Sequence, residues 1–166
     1  MFSKILIPLD GSKSSEKAVP YARHLAKLDN AEILLVMIPD ELWSGGIPSA
    51  GMGPYMGMGA YPIPQDYIET RLRHDKEYLA NLQVEVERDG ISVTTHCPSG
   101  DPASEVLELA EREGCDLIVL TSHGRTGIKR FLIGSVAEKV ARHSSCPVLI
   151  VGHHSFSSGE AEPEQN

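Results

Sequence analysis

DLIVLTSHGRTGIKRFLIGS, residues 116 to 135, passes from strand to loop to helix. Apolar Leu117, Ile118, Val119 and Leu120 empty into polar Thr121, Ser122 and His123. Gly124 and Gly127 follow, and Gly134 and Ser135 open a helical pattern. An apolar strand ending in a polar, glycine-bearing loop is where an open α/β sheet places its ligand, outside the carboxyl ends of the strands. Ser135 with Glu138 three residues on reads as a capping box. The N–H groups of that helix start would favour an anion. No acidic residue lies between Thr121 and Ser135, whereas Arg125, Lys129 and Arg130 do. In an acidic chain such a locally basic loop points to a phosphate site. Arg125 is a candidate phosphate contact, with a solvated loop arginine as the alternative.

The chain has 166 residues, a length that suits one domain with helices on both faces of a sheet. Its 15 basic and 23 acidic residues leave a net charge of −8, which argues against a general binder of nucleic acid or anionic membrane. Aromatic residues make up only 5%, too few for a base-stacking surface. The start, MFSKILIPLDGS, has a short apolar run broken by Pro8 and Asp10, unlike a signal peptide. No run approaches the ~20 apolar residues that span a bilayer. These features predict a soluble, cytoplasmic protein. Cys97, Cys115 and Cys146 are far apart and form no CxxC, so they read as small buried thiols.

Outward from the quoted stretch, Lys4–Leu9 reads as a first strand covered on both faces. It ends in Asp10-Gly11-Ser12, again polar at a carboxyl end, with Ser12, Ser14 and Ser15 as candidate helix caps. A helix is expected from Ser14 to Leu28, with Pro20 tolerable only if the helix starts late or bends. Ile33–Ile38 is the second strand. Residues 43–64 then form a Gly/Met-rich insertion without periodicity, too long for an ordinary connection. It reads as an adaptable flap, a partner-contact segment or an insertion with no role. Ile68, Leu72, Leu79, Leu82 and Val86 stripe a long helix from Gln65 or Asp66 to Asp89-Gly90. Ile91–Cys97 alternates, which predicts an edge strand. Asp101 caps the next helix, with Pro102 at its first position. Ala103, Val106, Leu107 and Ala110 are expected to face inward, and Gly114 to end it. Asp116–Leu120 is the fourth strand. Val136, Ala137, Val140 and Ala141 form the apolar face of the last helix, and Val148–Val151 is the fifth strand. Residues 153–166 are expected to be a disordered acidic tail. No carboxylate or cysteine stands at a ligand spacing from His153-His154, which argues against a metal there.

The order βαβαβαβαβ predicts a single-domain α/β fold over residues 1–152, an open five-stranded parallel sheet of Rossmann-like type. In strand order 3-2-1-4-5 the crevice lies between the first and fourth strands. Asp10 would then face the Thr121–Gly127 loop.

Taken together, IPLDGS with Ser15, the strand ending before Pro39, GDPASEVLELAEREGCDLIVLTSHGR and GSVAEKVARHSSCPVLIV resemble the universal stress protein family. The likeness covers nearly the whole chain except the insertion and the tail. Nucleotide-binding members hold ATP with glycine, two residues, glycine, nine residues, glycine, then serine or threonine. Gly124, Gly134 and Ser135 match that pattern; Thr121 stands where its first glycine would be. The Thr121 side chain would either crowd the nucleotide or donate a hydrogen bond to ribose or phosphate. The resemblance implies Asp10 near the ribose and adenine, the backbone near Met37 at the adenine edge, and Gly124 close to the phosphates. Gly134 and Ser135 would supply donors to those phosphates. Pro8, Thr121, His123 and Val136 complete the candidate contacts. Magnesium could travel with the triphosphate. The family often pairs through the last strand, which implies a homodimer through Val148–Val151.

Three functions follow: a nucleotide-responsive stress or signalling module, a nucleotide-free dimeric interaction protein, and a slow ATP hydrolase. Adjacent Ser122 and His123 do not make a nucleophile and an oriented base. No G-x-x-x-x-G-K-[ST] is present, which excludes a P-loop enzyme. Asp10-Gly11-Ser12 is not a dinucleotide fingerprint.

Overall fold

A computed structural model describes residues 1–38, 65–122 and 133–152. The insertion at 43–64, the tail at 153–166 and the loop carrying His123, Gly124, Arg125, Gly127, Lys129 and Arg130 lie outside the described residues.

Five parallel strands stand in the order β3-β2-β1-β4-β5. They are β1 (Lys4–Leu9), β2 (Glu32–Met37), β3 (Val93–His96), β4 (Leu117–Thr121) and β5 (Val148–Val151). The helices described are α1 (Val19–Asp29), α2 (Gln65–Glu87), α3 (Pro102–Arg112) and α4 (Ser135–His143). The near-continuous apolar runs of the central strands follow from burial on both faces. Ile5, Ile7 and Leu9 of β1, with Ile33, Leu35 and Met37 of β2, join a core containing Ala22 and Ala26 of α1 and Leu79 and Val86 of α2. Leu6, Leu34, Val36, Ile118 and Leu120 point the other way, to Val106 and Leu109 of α3 and Ala137 and Val140 of α4. The strand period of two thus divides one run between two cores. β3 lies at an edge, as its alternation implies.

Several local expectations are corrected or refined. The first helix does not begin at Ser14: a 3-10 turn, Ser15–Ala18, comes first, and α1 starts at Val19. Pro20 therefore occupies the first turn, where its missing N–H breaks no intrahelical bond. Ser135 is not the cap of α4. Gly134 is, with φ −61° and ψ 152°, and Ser135 is the first helical residue. The expected capping box is therefore absent, because glycine has no side chain with which to cap the helix. Leu107 packs against the second core as expected but stays half-buried, and Leu109, not among the expected inward residues, is buried beside Val106 and Ala110. Ala141 is exposed, since the buried side of α4 is limited to Ala137 and Val140. The thiols also differ: Cys115 is buried, but Cys97 and Cys146 are half-buried.

Among the described residues no helix is long and apolar enough to cross a membrane.

Candidate functional site

The sheet parts where its winding reverses. β1 pairs with β2 as far as Leu9↔Met37, and β4 with β5 as far as Thr121↔Val151. Between β1 and β4 the register is confined to Ile5↔Leu117 and Leu6↔Ile118. Proline explains the early stop. The Ser3 carbonyl accepts Glu32 N–H at 2.9 Å, and the Lys4 carbonyl accepts Asp116 N–H at 3.0 Å. Odd positions of β1 therefore present their backbone to β2, and even positions to β4. Pro8 is an even position with no N–H to give. The ladder toward Leu120 cannot continue, and the carboxyl ends of β1 and β4 stand where the strand order reverses, the place at which such sheets take ligands.

Asp10 stands on one side of it in a self-bonded turn. Its Oδ1 accepts the N–H of Ser12 at 2.9 Å. Its own N–H donates to Ser15 Oγ at 3.4 Å. Ser15 Oγ donates to the Ser12 carbonyl at 2.9 Å, and Ser12 Oγ accepts Ser15 N–H at 3.1 Å. Gly11 carries φ +78°, a left-handed value that glycine adopts without strain. The next turn is tied to α2: Tyr78 Oη donates to Glu16 Oε1 at 2.9 Å. Burial first, then that carboxylate, push the Tyr78 phenol above its ordinary range, and Asp10 adds to the effect.

On the other side α4 begins. Ser122 N–H donates to the Val151 carbonyl at 3.0 Å, and the Ser122 carbonyl accepts Gly134 N–H at 2.7 Å. The helix start is thereby fixed to the end of β4. Because the Gly134 N–H is occupied, the donors of the opening turn belong to Ser135, Val136 and Ala137, which as first-turn positions have no intrahelical acceptor. Lys139 joins α4 to the start of α3: Nζ lies 2.6 Å from Asp101 Oδ2. Asp101 caps α3 by accepting Ser104 N–H at 3.0 Å. The Lys139 ammonium, then the Ser104 hydroxyl, hold the Asp101 carboxyl down at about 2. Among the described residues no group of three or more His, Cys, Asp or Glu could hold a metal ion.

The sequence model of the universal stress protein family matches residues 1–152. The chain belongs to the universal stress protein family. It is 36% identical to the universal stress protein YxiE of Bacillus subtilis over 155 residues, which take in 91% of this chain and 99% of that protein. It resembles the solved structure of MJ0577, a universal stress protein of Methanocaldococcus jannaschii, with a TM-score of 0.74 and 28% identity, covering 94% of this chain and 99% of that one. Another universal stress protein, solved in complex with cAMP, gives a TM-score of 0.58 at 26% identity, covering 91% and 97% of the two chains.

In this universal stress protein the candidate residues fall into three groups. Pro8, Asp10 and Met37 sit at the carboxyl ends of β1 and β2, with Met37 buried and the other two half-buried. Thr121 is the last residue of β4; its neighbour Ser122 is bonded to half-buried Gly134, which exposed Ser135 and half-buried Val136 follow. Val136 packs against the second core. His123, Gly124 and Arg125 lie outside the described residues. Sequence reasoning missed Lys139, whose partner Asp101 is 38 positions away; no local pattern announces that pair.

Proposed function

We propose that this universal stress protein is a cytoplasmic, nucleotide-responsive module that binds ATP in the crevice between β1 and β4. The early end of the β1–β4 ladder at Pro8, at the point where the strand order reverses, carries the reading. It leaves Asp10 on one wall and the opening turn of α4 on the other. The donor set suits the ligand. Asp10 would accept from ribose hydroxyls, and the backbone at Met37 would meet the adenine edge. The N–H groups of Ser135 and Val136 and the Ser135 hydroxyl would meet phosphate oxygens, favoured by the positive end of the helix. Gly124, His123 and Arg125 belong to the same reading through their place in the family pattern. Thr121 would lie against the ligand at the end of β4. Its hydroxyl replaces the pattern's first glycine, and we assign it a hydrogen bond to ribose or phosphate. Magnesium would be held chiefly by the phosphates. A relative solved with cAMP supports an adenine nucleotide as the ligand class.

β5 is apolar and stands at the sheet edge with Leu149 exposed. An uncovered edge offers unpaired backbone groups, and antiparallel pairing with a second copy would satisfy them. A homodimer through Val148–Val151 is therefore part of the reading.

Titration of ATP with magnesium into the folded protein tests it, with Asp10→Ala as the control. Saturable binding that Asp10→Ala weakens supports the site. Flat heat and fluorescence at millimolar ATP would leave the dimeric interaction protein as the better reading.

A further inference from the structure

One ammonium clamps the first turn of α3 to the second turn of α4. Lys139 Nζ lies 2.6 Å from Asp101 Oδ2 and 3.2 Å from Ser104 Oγ. The same carboxylate oxygen accepts Ser104 N–H at 3.0 Å and the Ser104 hydroxyl at 2.7 Å. Asp101 Oδ2 thus gathers donors from two helices. The chain before it is fitted as closely. Gly100 has φ +156°, and a Cβ there would fall 2.3 Å from Glu105 Oε1, so the Glu105 side chain lies over the position that a larger residue would need.

Among the described residues α4 has few other means of being held in register. Over Ser135–His143 its buried residues are Ala137 and Val140. Together with half-buried Val136 on the same core, these small side chains resist separation from the sheet, but they resist sliding or rolling poorly. Another observed ion pair of the helix, Glu138 with Arg142 at 2.9 Å, is internal and fixes nothing outside it. Lys139 follows Ser135 by four residues, so the two share a face one turn apart. Helical side chains lean toward the N-terminus, so the Lys139 brace acts back along the opening turn. The Gly134–Ser122 bond pins the helix's tip. The Lys139–Asp101 pair supplies the second point of support. Two points separated along the axis define a direction, which one alone does not.

We propose that Lys139 is a positioning residue of the phosphate half of the site, acting through Asp101. This rests on the nucleotide reading above. Lys139 aims the N–H groups of Ser135 and Val136 into the crevice and does not itself touch the ligand. Asp101 has a double role: it caps α3 and anchors α4, so the two helices move as a unit.

The test is a double-mutant cycle on the full chain. ATP with magnesium and, separately, adenosine are titrated into wild type, Lys139→Met, Lys139→Arg, Asp101→Asn and the double variant Asp101→Asn/Lys139→Met. Asparagine is itself a good N-cap, so Asp101→Asn removes the charge and keeps α3 capped. Each single loss of charge is expected to weaken ATP about threefold to tenfold, the double variant no more than either single one, and adenosine not at all. Lys139→Arg should recover most of the affinity. ATP binding unchanged in Lys139→Met overturns the inference. So does equal loss of adenosine and ATP, which marks general damage. So does tighter ATP binding by Asp101→Asn, because Lys139 would then be a phosphate cation for which Asp101 competes. Wild type that binds neither ligand overturns the nucleotide reading itself, and this inference with it.

Discussion

Ser15→Ala tests whether the turn at Asp10 is held by its own hydrogen bonds. Ser15 is 4% exposed, so water does not readily replace its hydroxyl. The change removes the 2.9 Å bond to the Ser12 carbonyl and the 3.4 Å bond from Asp10 N–H. A good neutral bond contributes about 1 kcal/mol, and a buried group left unpaired costs about 1–3 kcal/mol. The longer bond contributes little. Asp10 and Ser12 are half-buried, so water can reach part of what is freed. The expected loss is therefore about 1–2 kcal/mol. For a domain of this size that lowers the melting midpoint by about 3–6 °C. Urea unfolding followed by circular dichroism should show an earlier midpoint with an unchanged slope. A loss below about 0.3 kcal/mol would refute the reasoning, since the hydroxyl would then be replaceable by solvent. ATP affinity should fall as well, because the turn that presents Asp10 loses a support.

Other expectations follow from burial and charge. Leu35→Ala, at a residue with 0% exposure in β2, should cost about 3 kcal/mol in the same urea experiment. The Asp101 carboxyl is held down at about 2, so its contribution is full above the unfolded-state value and is lost as pH falls from about 4 toward 2. Asp101→Asn should flatten that part of the acid unfolding curve, in which lowered Asp29 and Asp89 also take part. Burial pushes the Cys115 thiol up to about 12. At pH 8 it should carry roughly a thousandfold less thiolate than a free cysteine, and iodoacetamide should label it only after unfolding.

The strands were legible because their residues must satisfy two cores at once. Lys4–Leu9 and Asp116–Leu120 could hardly be anything but buried parallel strands, and the observed bounds differ from expectation by at most one residue. Asp101-Pro102 was legible because the cap and the first helical position are local chemistry. The start of α1 was not. Three serines offered themselves as caps, but Ser15 Oγ bonds the Asp10 N–H and the Ser12 carbonyl, and Ser12 Oγ accepts the Ser15 N–H. The first turn became 3-10, and Pro20 was left near the new helix start. Asp75 shows another limit. It fills the gap at the centre of the stripe formed by Ile68, Leu72, Leu79, Leu82 and Val86, and it is fully buried. Arg71 Nε stands 3.1 Å and 3.2 Å from its two oxygens. A pattern with one apolar position missing signals that something polar goes inside, but not what receives it.

The two walls of the crevice end their strands differently, and the difference bears on how a ligand could be sensed. Both strands stop while their backbone groups still need partners. At β1 the serines of one short turn supply them, and the Asp10 turn closes mainly on itself. At β4 the partners are distant in sequence: Ser122 gives its N–H to Val151 and takes Gly134's. The first wall is held by bonds within one short turn. The second is an assembly of β4, β5 and α4, correct only when the helix is correctly placed. Phosphates that met the Ser135 and Val136 N–H groups would pull on that assembly and, through Lys139 and Asp101, on the start of α3. The base and ribose would meet the wall that is held locally. A triphosphate and a bare nucleoside should therefore differ in what they do to the far face of the protein, even where both occupy the same crevice.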